Sequence, residues 1–363
     1  MRSWRIIAAG LALLVVSVPI HGQLFPRLKE MRERRKQKSN GPAEANTAAV
    51  TARQSVACGD NLNVGYRVVS FSSGLRAAVW FPSTEAEAPF GYANGLASSV
   101  GTDAAIANCG DRYPVAVFSH GFGGCGTQSA FFTESLARRG YIVVAPDHKD
   151  AKCKVDQPRE GSVFGRAEEP FRKPKEWSDK TYIDRRDDIR TILDELASLP
   201  LLQGRVDMGR VAGVGHSLGG YTMIGMAGGW NSWRDERIKV LLLFSPYAAP
   251  YLVQKRLPSV RVPVMYQGGT RDRGITPELR KAGGVYDMSN SPKYFVELKD
   301  HGHFDWTVRV CGVGGTIASC TGSGNAKLIN QFGIQFLNRY VKGDGPGPDS
   351  SGRSALADFR SKE

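Results

Sequence analysis

A serine flanked by glycines near the middle of the chain constrains the fold more than any other feature. Gly215, Ser217 and Gly219 fit the pattern G-x-S-x-G, which follows an apolar run and precedes a run of small and apolar residues. A residue at the apex of so tight a turn is forced into strained backbone geometry, and the glycines let a strand and a helix crowd together. The stretch predicts a strand, a sharp turn and a helix, with Ser217 as a candidate nucleophile. The alternative is a Gly-rich turn whose serine has no catalytic role.

Short apolar runs alternate with amphipathic segments on both sides of this turn. They predict strands at 66–71, 75–81, 113–119, 141–145, 238–244, 262–268 and 293–298, and helices at 128–139, 181–199 and 325–341. The exposed face of the second helix is expected to carry the charged residues 185–188. The first two strands predict a hairpin, and residues 82–111 predict a long loop. This alternation indicates an α/β fold with a mostly parallel central sheet and helices on both faces. Ligands bind such sheets beyond the carboxyl ends of the strands.

A serine needs a base to accept its proton, and histidine is the usual base. The chain has six histidines, and His303 follows the last predicted strand. Gly302 and Phe304 on either side suit a tight turn, so we expect His303 to be the base, with His301 as the alternative. A metal site at His301 and His303 would need further ligands that the sequence does not supply. We expect neither a metal nor a cofactor.

The acid that orients the imidazole should lie between the serine and the histidine in the chain. Asp272 lies just past the apolar run 262–268, so we expect it to be this acid. Asp287 and Asp300 compete for the role, and Asp300 would equally suit a solvated turn.

Backbone N–H groups must stabilise the oxygen that becomes negative in such a reaction. Leu218 supplies one as the residue after the serine, and the loop 120–124 (His-Gly-Phe-Gly-Gly) supplies another, which we assign to Phe122. Aromatic side chains near these positions are candidates for lining a substrate pocket, with membership of the core as the alternative for each: Phe122, Tyr221, Tyr247 and Trp306.

The first 22 residues have the pattern of an export signal. Arg2 and Arg5 precede an apolar run of 15 residues at 6–20, and a polar step with a small residue follows at 21–23. A transmembrane helix needs about 20 apolar residues, so a cleaved signal is favoured over an uncleaved anchor. The sequence predicts a secreted or periplasmic protein.

Residues 23–53 are predicted to form a basic linker that is disordered or partly helical. Residues 27–38 hold seven Lys or Arg and two Glu, and the net charge of the whole chain is +13. This basic segment could attract an anionic surface such as lipid headgroups, although a solvated linker is the simpler explanation. No nucleic-acid-binding motif accompanies the charge, so we expect no nucleic-acid partner, and we expect a monomer.

All six cysteines lie beyond the predicted signal, and an even number in an exported chain favours disulfides. Cys311 and Cys320 flank a Gly/Ser/Thr loop and form the favoured local pair. Cys125 and Cys153 each follow a predicted core strand, so they suit a second pair that would leave Cys58 and Cys109. The sequence alone does not decide among the other pairings. A metal site is the weaker alternative, since there is no C-x-x-C pair.

Six motifs together carry a resemblance to a known family: residues 120–124, Gln128-Ser129-Ala130-Phe131-Phe132, residues 140–148, Asp187-Asp188-Ile189, residues 215–221 and Gly302-His303-Phe304. The chain resembles, over roughly residues 63–342, the dienelactone-hydrolase-like exported hydrolases. These are close to the platelet-activating-factor acetylhydrolase group and to the cutinase-like polyester hydrolases. True dienelactone hydrolases use a cysteine nucleophile, whose place Ser217 takes here, so dienelactone itself is a poor substrate candidate.

The resemblance implies an α/β-hydrolase fold and a serine carboxylic-ester hydrolase that needs no cofactor. We expect residues 54–342 to form the catalytic domain, with an excursion or lid at 149–180 and a flexible tail at 343–363. The expected substrate is a small-molecule, lipid or polymer ester, cleaved through an acyl-enzyme on Ser217. A serine peptidase, an acyltransferase and a non-catalytic binding protein of the same fold are the alternatives.

Overall fold

The computed structural model describes residues 47–110, 112–157, 167–312, 314–322, 324–350 and 353–363. The chain divides into the units Met1–Gly41 and Pro42–Glu363, and every described residue lies in the second unit. The predicted export signal at 1–22 lies outside the described residues. So do most of the predicted linker and the part of the excursion at 158–166.

The described strands build one large sheet and one small hairpin. Numbered along the chain, they are β1 Asn63–Ser70, β2 Arg76–Ser83, β3 Ala88–Gly91, β4 Ala97–Val100, β5 Tyr113–Ser119, β6 Ile142–Pro146, β7 Val206–His216, β8 Ile238–Phe244, β9 Val264–Gly269, β10 Lys293–Leu298 and β11 Leu356–Lys362. Within the described ranges the large sheet has the order β1-β2-β6-β5-β7-β8-β9-β10-β11, and β3 pairs with β4. The pairings from β6 to β10 are parallel, and those of β1, β2 and β11 are antiparallel.

Helices cover both faces of this sheet. The described α-helices are α1 Ala130–Arg138, α2 Ile183–Glu195, α3 Leu218–Ile224, α4 Ala249–Val253, α5 Thr276–Arg280, α6 Val285–Met288, α7 Ile317–Gly322 and α8 Gly324–Leu337. Successive residues of a strand face opposite sides, so each buried strand supplies two cores. Val115 and Val117 of β5 share a core with Ile189 of α2, whereas Ala116 and Phe118 share the other core with α1 and α8. The predicted mostly parallel sheet with helices on both faces is confirmed.

None of the helices in the described ranges has both the length and the apolar character that crossing a membrane requires.

The sequence predicted a flexible tail at 343–363, but part of this segment is ordered. Its last strand, β11, pairs antiparallel with β10 and forms one edge of the sheet. Leu356 is buried, and Phe359 packs against the same core as α8. Only these two of the seven strand residues are large and apolar, so the strand was not evident in the sequence. The predicted loop at 82–111 likewise contains the β3–β4 hairpin.

The last residues of the predicted linker also have defined structure. Thr47–Ala49 forms a short 3₁₀ helix, and Arg53 exchanges backbone hydrogen bonds of 3.1 and 2.9 Å with Glu87. The buried Glu87 carboxylate forms an ion pair of 2.7 Å with Arg138 and lies 3.7 Å from Nε of Arg53. The disordered alternative is wrong for these residues, because the backbone and the buried carboxylate of Glu87 hold Arg53, whereas the partly helical alternative fits residues 47–49.

Three disulfides join Cys58 to Cys109, Cys125 to Cys153 and Cys311 to Cys320. The pairs favoured by the sequence are confirmed. The second bond links the loop after β5 to the segment after β6, so it lies at the carboxyl edge of the sheet, where the candidate site residues meet.

Candidate active site

Ser217 is the single residue between β7 and α3. Its φ of 52° and ψ of −115° are strained for a residue with a Cβ atom. Its N–H donates to the carbonyl oxygen of Phe244 at 3.0 Å, which holds the turn against β8. A Cβ atom on Gly219 would overlap the carbonyl oxygen of Ser119, and one on Gly215 would overlap that of Gly219. The glycines of the motif are needed for this close approach of strand and helix.

The histidine and the carboxylate predicted from the sequence lie next to this serine. Nε2 of His303 is 3.0 Å from Oγ of Ser217, and Nδ1 of His303 is 3.0 Å from Oδ2 of Asp272. Asp272 follows β9 and His303 follows β10, so parallel strands bring both to the edge at which β7 ends. Ser217 and His303 are partly exposed, whereas Asp272 is buried. The arrangement can pass a proton from the hydroxyl to the imidazole and stabilise the resulting charge.

The alternative residues have other partners. His301 is buried, and its Nδ1 donates to a backbone carbonyl oxygen 2.8 Å away. The exposed carboxylate of Asp300 forms an ion pair of 2.8 Å with Arg271. Asp287 accepts a hydrogen bond of 2.8 Å from a backbone N–H in its own turn. In the described part of the chain, none of the three bonds to His303 or to the serine hydroxyl.

Ser245 is a further polar neighbour that the sequence analysis did not single out. Its Oγ donates to Oδ2 of Asp272 and lies 3.0 Å from Nδ1 of His303. Burial raises the pKa of the Asp272 carboxyl, but the hydrogen bonds from His303 and Ser245 lower it by more, so the pKa lies below its ordinary value. Asp272 is an anion at neutral pH. The only sequence signal for Ser245 is its position directly after the apolar run that forms β8.

The loop after β5, residues 120–124, packs directly on the serine turn. A Cβ atom on Gly121 would lie 3.3 Å from Cβ of Ser217, so the loop backbone is in contact with the turn. The N–H of Phe122 makes no hydrogen bond within the described ranges. The N–H of Leu218 lies in the first turn of α3, where a helix offers no acceptor. Phe122 and Leu218 therefore remain the candidate donors for an oxygen bound beside the serine hydroxyl.

Gln128 and His216 brace this loop against the turn. Oε1 of Gln128 accepts the N–H of Gly121 at 3.1 Å, and its Nε2 donates to Nδ1 of His216 at 3.0 Å. Nε2 of His216 donates to the carbonyl oxygen of His303 at 2.8 Å. Burial and the nearby His303 lower the pKa of His216 to about 3, so its ring is neutral. His216 positions its neighbours as a neutral hydrogen-bonding group.

Arg185 is fully buried, although its place in a charged stretch of α2 predicted an exposed side chain. Its Nε and Nη2 donate to the two carboxylate oxygens of Asp150 at 2.9 Å each. Its Nη1 donates to the carbonyl oxygen of His120 at 2.8 Å. Asp188, predicted on the same exposed face, bonds to the ring of His148 at 2.7 Å. These charges turn inward because buried partners satisfy them.

The four aromatic candidates for a substrate pocket divide into two pairs. Tyr221 and Trp306 are fully buried and hydrogen-bonded to core groups, which favours the alternative that they belong to the core. Phe122 is partly exposed next to the serine turn. The N–H of Tyr247 donates to the carbonyl oxygen of Ser217 at 2.9 Å, so this residue also borders the turn.

Phe171, from the predicted excursion, completes an aromatic cluster of Phe122, Phe171, Trp177 and Tyr247. Its ring centroid lies 5.7 Å from that of Phe122, 4.9 Å from that of Tyr247 and 5.5 Å from that of Trp177. The hydroxyl of Tyr247 donates to the carbonyl oxygen of Phe171 at 2.7 Å. The excursion thus brings an apolar ring up to the two aromatic residues that flank the serine turn.

Comparison with known proteins finds similarity to platelet-activating factor acetylhydrolases. A family profile described as "Platelet-activating factor acetylhydrolase, isoform II" matches residues 70–173. The predicted resemblance to the platelet-activating-factor acetylhydrolase group is confirmed. The matched residues include the loop after β5, whereas Ser217, Asp272 and His303 lie outside them.

Two curated relatives are named platelet-activating factor acetylhydrolase. The protein from Cavia porcellus is 24% identical over 264 residues, and the protein from Canis lupus familiaris is 28% identical over 266 residues. Each alignment covers 64% of this chain and 58% of the relative. The chain therefore matches less than two thirds of the length of either relative.

Proposed function

We propose that this chain is a serine hydrolase that cleaves carboxylic esters through an acyl-enzyme intermediate. The observation that carries the proposal is the hydrogen-bonded chain from Oγ of Ser217 through His303 to Asp272, with 3.0 Å at each step. The two backbone donors at Phe122 and Leu218 support it, because acyl transfer needs both a nucleophile and an oxyanion site.

In the first half of the proposed reaction, Oγ of Ser217 attacks the ester carbonyl carbon while Nε2 of His303 takes its proton. The N–H groups of Phe122 and Leu218 donate to the oxygen that becomes negative. The bond between the carbonyl carbon and the alcohol oxygen then breaks. Protonated His303 gives its proton to the departing oxygen, and the acyl group stays on the serine.

In the second half, water attacks the acyl carbon and gives a proton to His303. The bond to Oγ of Ser217 breaks, the proton returns to the serine, and the carboxylic acid leaves. Asp272 keeps its negative charge throughout and stabilises the imidazolium that forms twice in each turnover.

Esters of acetyl and other short acyl groups on a lipid alcohol are the proposed substrate class. The names of the two relatives support an acetyl group, since both are called acetylhydrolases. The aromatic cluster supports a short acyl chain, because the ring of Phe171 packs against both Phe122 and Tyr247, the two aromatic residues beside the serine turn. The activity of this chain remains a proposal, because it covers 58% of each relative.

We also propose that the protein has an α/β-hydrolase fold and is exported from the cytoplasm. Residues 54–342, with β11 added at one edge of the sheet, are proposed to form an α/β-hydrolase catalytic domain, which the mostly parallel sheet and the serine turn after β7 support. Residues 1–22 are proposed to direct export. The three disulfides support this, because such bonds persist in oxidising compartments.

Hydrolysis of p-nitrophenyl esters from acetate to octanoate, by the wild-type protein and by Ser217→Ala, tests the proposal. We expect the highest kcat/KM at acetate or butyrate and a loss of about 10⁴-fold or more in the variant. Equal hydrolysis by the two proteins would contradict it. A peptide panel would reveal a peptidase, and acyl transfer to an added alcohol in preference to water would reveal an acyltransferase. Absence of both hydrolysis and fluorophosphonate labelling would support a binding protein.

A further inference from the structure

We propose that Arg185 and Asp150 form a positioning pair that fixes and polarises the peptide group between Gly121 and Phe122. The N–H of that peptide group is the proposed oxyanion donor from the loop after β5. This inference rests on the proposed function, because the donor matters only if an oxyanion forms at Ser217.

The pair holds the loop on both sides of Phe122. Nη1 of Arg185 donates to the carbonyl oxygen of His120 at 2.8 Å, and Nη2 lies 3.5 Å from the carbonyl oxygen of the next residue. Oδ2 of Asp150 accepts the N–H of Gly123 at 3.1 Å. The guanidinium therefore contacts the backbone before Phe122, and its carboxylate partner contacts the backbone after it.

The carbonyl of Gly121 is fixed by further hydrogen bonds. It accepts Nδ1–H of His120 at 2.7 Å and the N–H of Gly124 at 2.9 Å. Nε2 of His120 accepts the N–H of His148 at 3.1 Å, which assigns the ring proton to Nδ1. A trans peptide is planar, so the N–H of Phe122 points away from these donors. Hydrogen bonds and positive charge at the carbonyl strengthen that N–H as a donor.

Fold stability alone does not explain this buried ion pair. Removing two charges from water costs about as much as their attraction provides, so an apolar pair of similar volume stabilises a fold at least as well. Arg185 is fully buried, and the side chain of Asp150 is 13% exposed. Burial raises the pKa of Asp150, but the charge and hydrogen bonds of Arg185 together with the neighbouring His120 and His148 lower it by more, so the Asp150 carboxylate stays ionised at neutral pH. Both charged groups also form hydrogen bonds with the backbone of the loop that carries the proposed donor.

The test compares two neighbouring arginines of α2. Arg185→Met removes the charge and keeps a side chain of similar length. Arg185→Lys keeps the charge but replaces the planar guanidinium and its several donor nitrogens with a single ammonium group. Arg186→Met is the matched control. Arg186 pairs with the exposed Asp187 at 2.6 Å, away from the loop contacts of Arg185. The readouts are kcat and KM for p-nitrophenyl acetate and the inhibition constant of an aryl trifluoromethyl ketone, which forms a tetrahedral oxyanion on a serine.

We expect Arg185→Met to lower kcat about 100-fold and to raise the inhibition constant by a similar factor, with KM changed less than about threefold. Arg185→Lys should retain about a tenth of the wild-type kcat, and Arg186→Met should match the wild type. Rates are expressed per active site, counted by complete reaction with a fluorophosphonate. A merely structural role would reduce the number of sites and leave the rate at each site unchanged.

Wild-type kcat and inhibition per active site in Arg185→Met would overturn the inference and leave the proposed function standing. Absence of hydrolysis that depends on Ser217 in the wild-type protein would overturn the proposed function and this inference with it. If Arg185→Met does not fold, Arg185→Lys and Asp150→Asn decide the question in the same assays. Unchanged rates per site in both of those variants would overturn the inference.

Discussion

The hydroxyl oxygen of Ser119 lies 2.9 Å from Nε2 of His148, which repeats the serine–histidine contact at Ser217. Nδ1 of His148 lies 2.7 Å from Oδ2 of Asp188, so the chain holds a second Ser–His–Asp arrangement. Ser119 is the last residue of β5 and is fully buried, and its hydroxyl also accepts Nη1 of Arg185 at 3.3 Å. Because the Ser119 hydroxyl is buried, no ester substrate can reach it. We therefore interpret this second arrangement as a structural hydrogen-bond network that holds the loop after β5 in place.

Reaction with a fluorophosphonate should therefore modify one serine only. We expect the wild-type protein and Ser119→Ala to gain the mass of one label each, and Ser217→Ala to gain none, by intact-protein mass spectrometry. Burial and the charge of Arg185 hold the pKa of His148 well below its ordinary value, which makes it a poor base. A labelled peptide that contains Ser119 would contradict this interpretation.

The hydroxyl of Ser245 should contribute to catalysis through Asp272. Loss of one hydrogen bond to a charged group is worth roughly 1.5–3 kcal/mol, so Ser245→Ala should lower kcat about tenfold or more with little change in KM. Ser245 has a φ of 41°, which glycine adopts more readily than alanine. Ser245→Gly is the control for backbone strain. Equal losses of kcat in both variants would assign the effect to the hydroxyl, and wild-type kcat in either would contradict the prediction.

Much of the fold could be predicted because apolar runs and helical spacing report directly on burial. Strands such as β5 and β8 are mostly apolar, and the structure has them close to the predicted positions. β11 could not be predicted, because it is an edge strand of mostly polar residues whose place depends on β10, more than 50 residues earlier in the chain.

The candidate site was predicted in part for a similar reason. Ser217, Asp272 and His303 each follow an apolar strand, and parallel strands bring such residues to one edge. Their catalytic roles remain a prediction, but their proximity follows from topology. The burial of Arg185 could not be predicted, because its partners come from the loops after β5 and β6 and leave no periodic pattern in α2.

Phe171 should limit the length of the acyl chain. Phe171→Ala removes the ring that contacts Phe122 and Tyr247, so we expect the ratio of kcat/KM for octanoate to that for acetate to rise about tenfold. Phe304 is the control, because it is 48% exposed beside His303 and stacks on Arg309 outside the aromatic cluster. An equal shift in Phe304→Ala, or none in Phe171→Ala, would argue against this role.

The disulfide between Cys125 and Cys153 should affect activity as well as stability. Its sequence separation of 28 corresponds to about 3–4 kcal/mol of chain entropy, against about 2–3 kcal/mol for the separation of 9 between Cys311 and Cys320. Cys125 directly follows the loop that carries Phe122. We expect the Cys125→Ser/Cys153→Ser variant to lose about tenfold or more in kcat. The Cys311→Ser/Cys320→Ser variant should keep its kcat, and equal kcat in both would contradict the distinction.

His216 should make the folded state sensitive to acid. Its pKa is about 3 in the folded chain and 6.5 in the unfolded chain, so the unfolded state binds a proton first as the pH falls. The stability contributed by the neutral ring is fully present above pH 6.5 and is lost toward pH 3. Between pH 7 and pH 5 the loss amounts to about 2 kcal/mol. The free energy of unfolding in urea should therefore fall by about 2 kcal/mol more in the wild-type protein than in His216→Gln.

Comparing the wild-type protein with His216→Gln separates the contribution of His216 to the pH dependence of the unfolding free energy from the contributions of the other buried titratable groups. Burial raises the pKa of Glu134 and of Asp188 to about 7, which opposes the loss of stability between pH 7 and pH 5. Burial lowers the pKa of His120 and of His148, which adds to the loss. These four groups are present in both proteins, so their effects cancel in the comparison. An identical pH dependence of the unfolding free energy in the wild-type protein and His216→Gln would mean that His216 is not held neutral in the folded state.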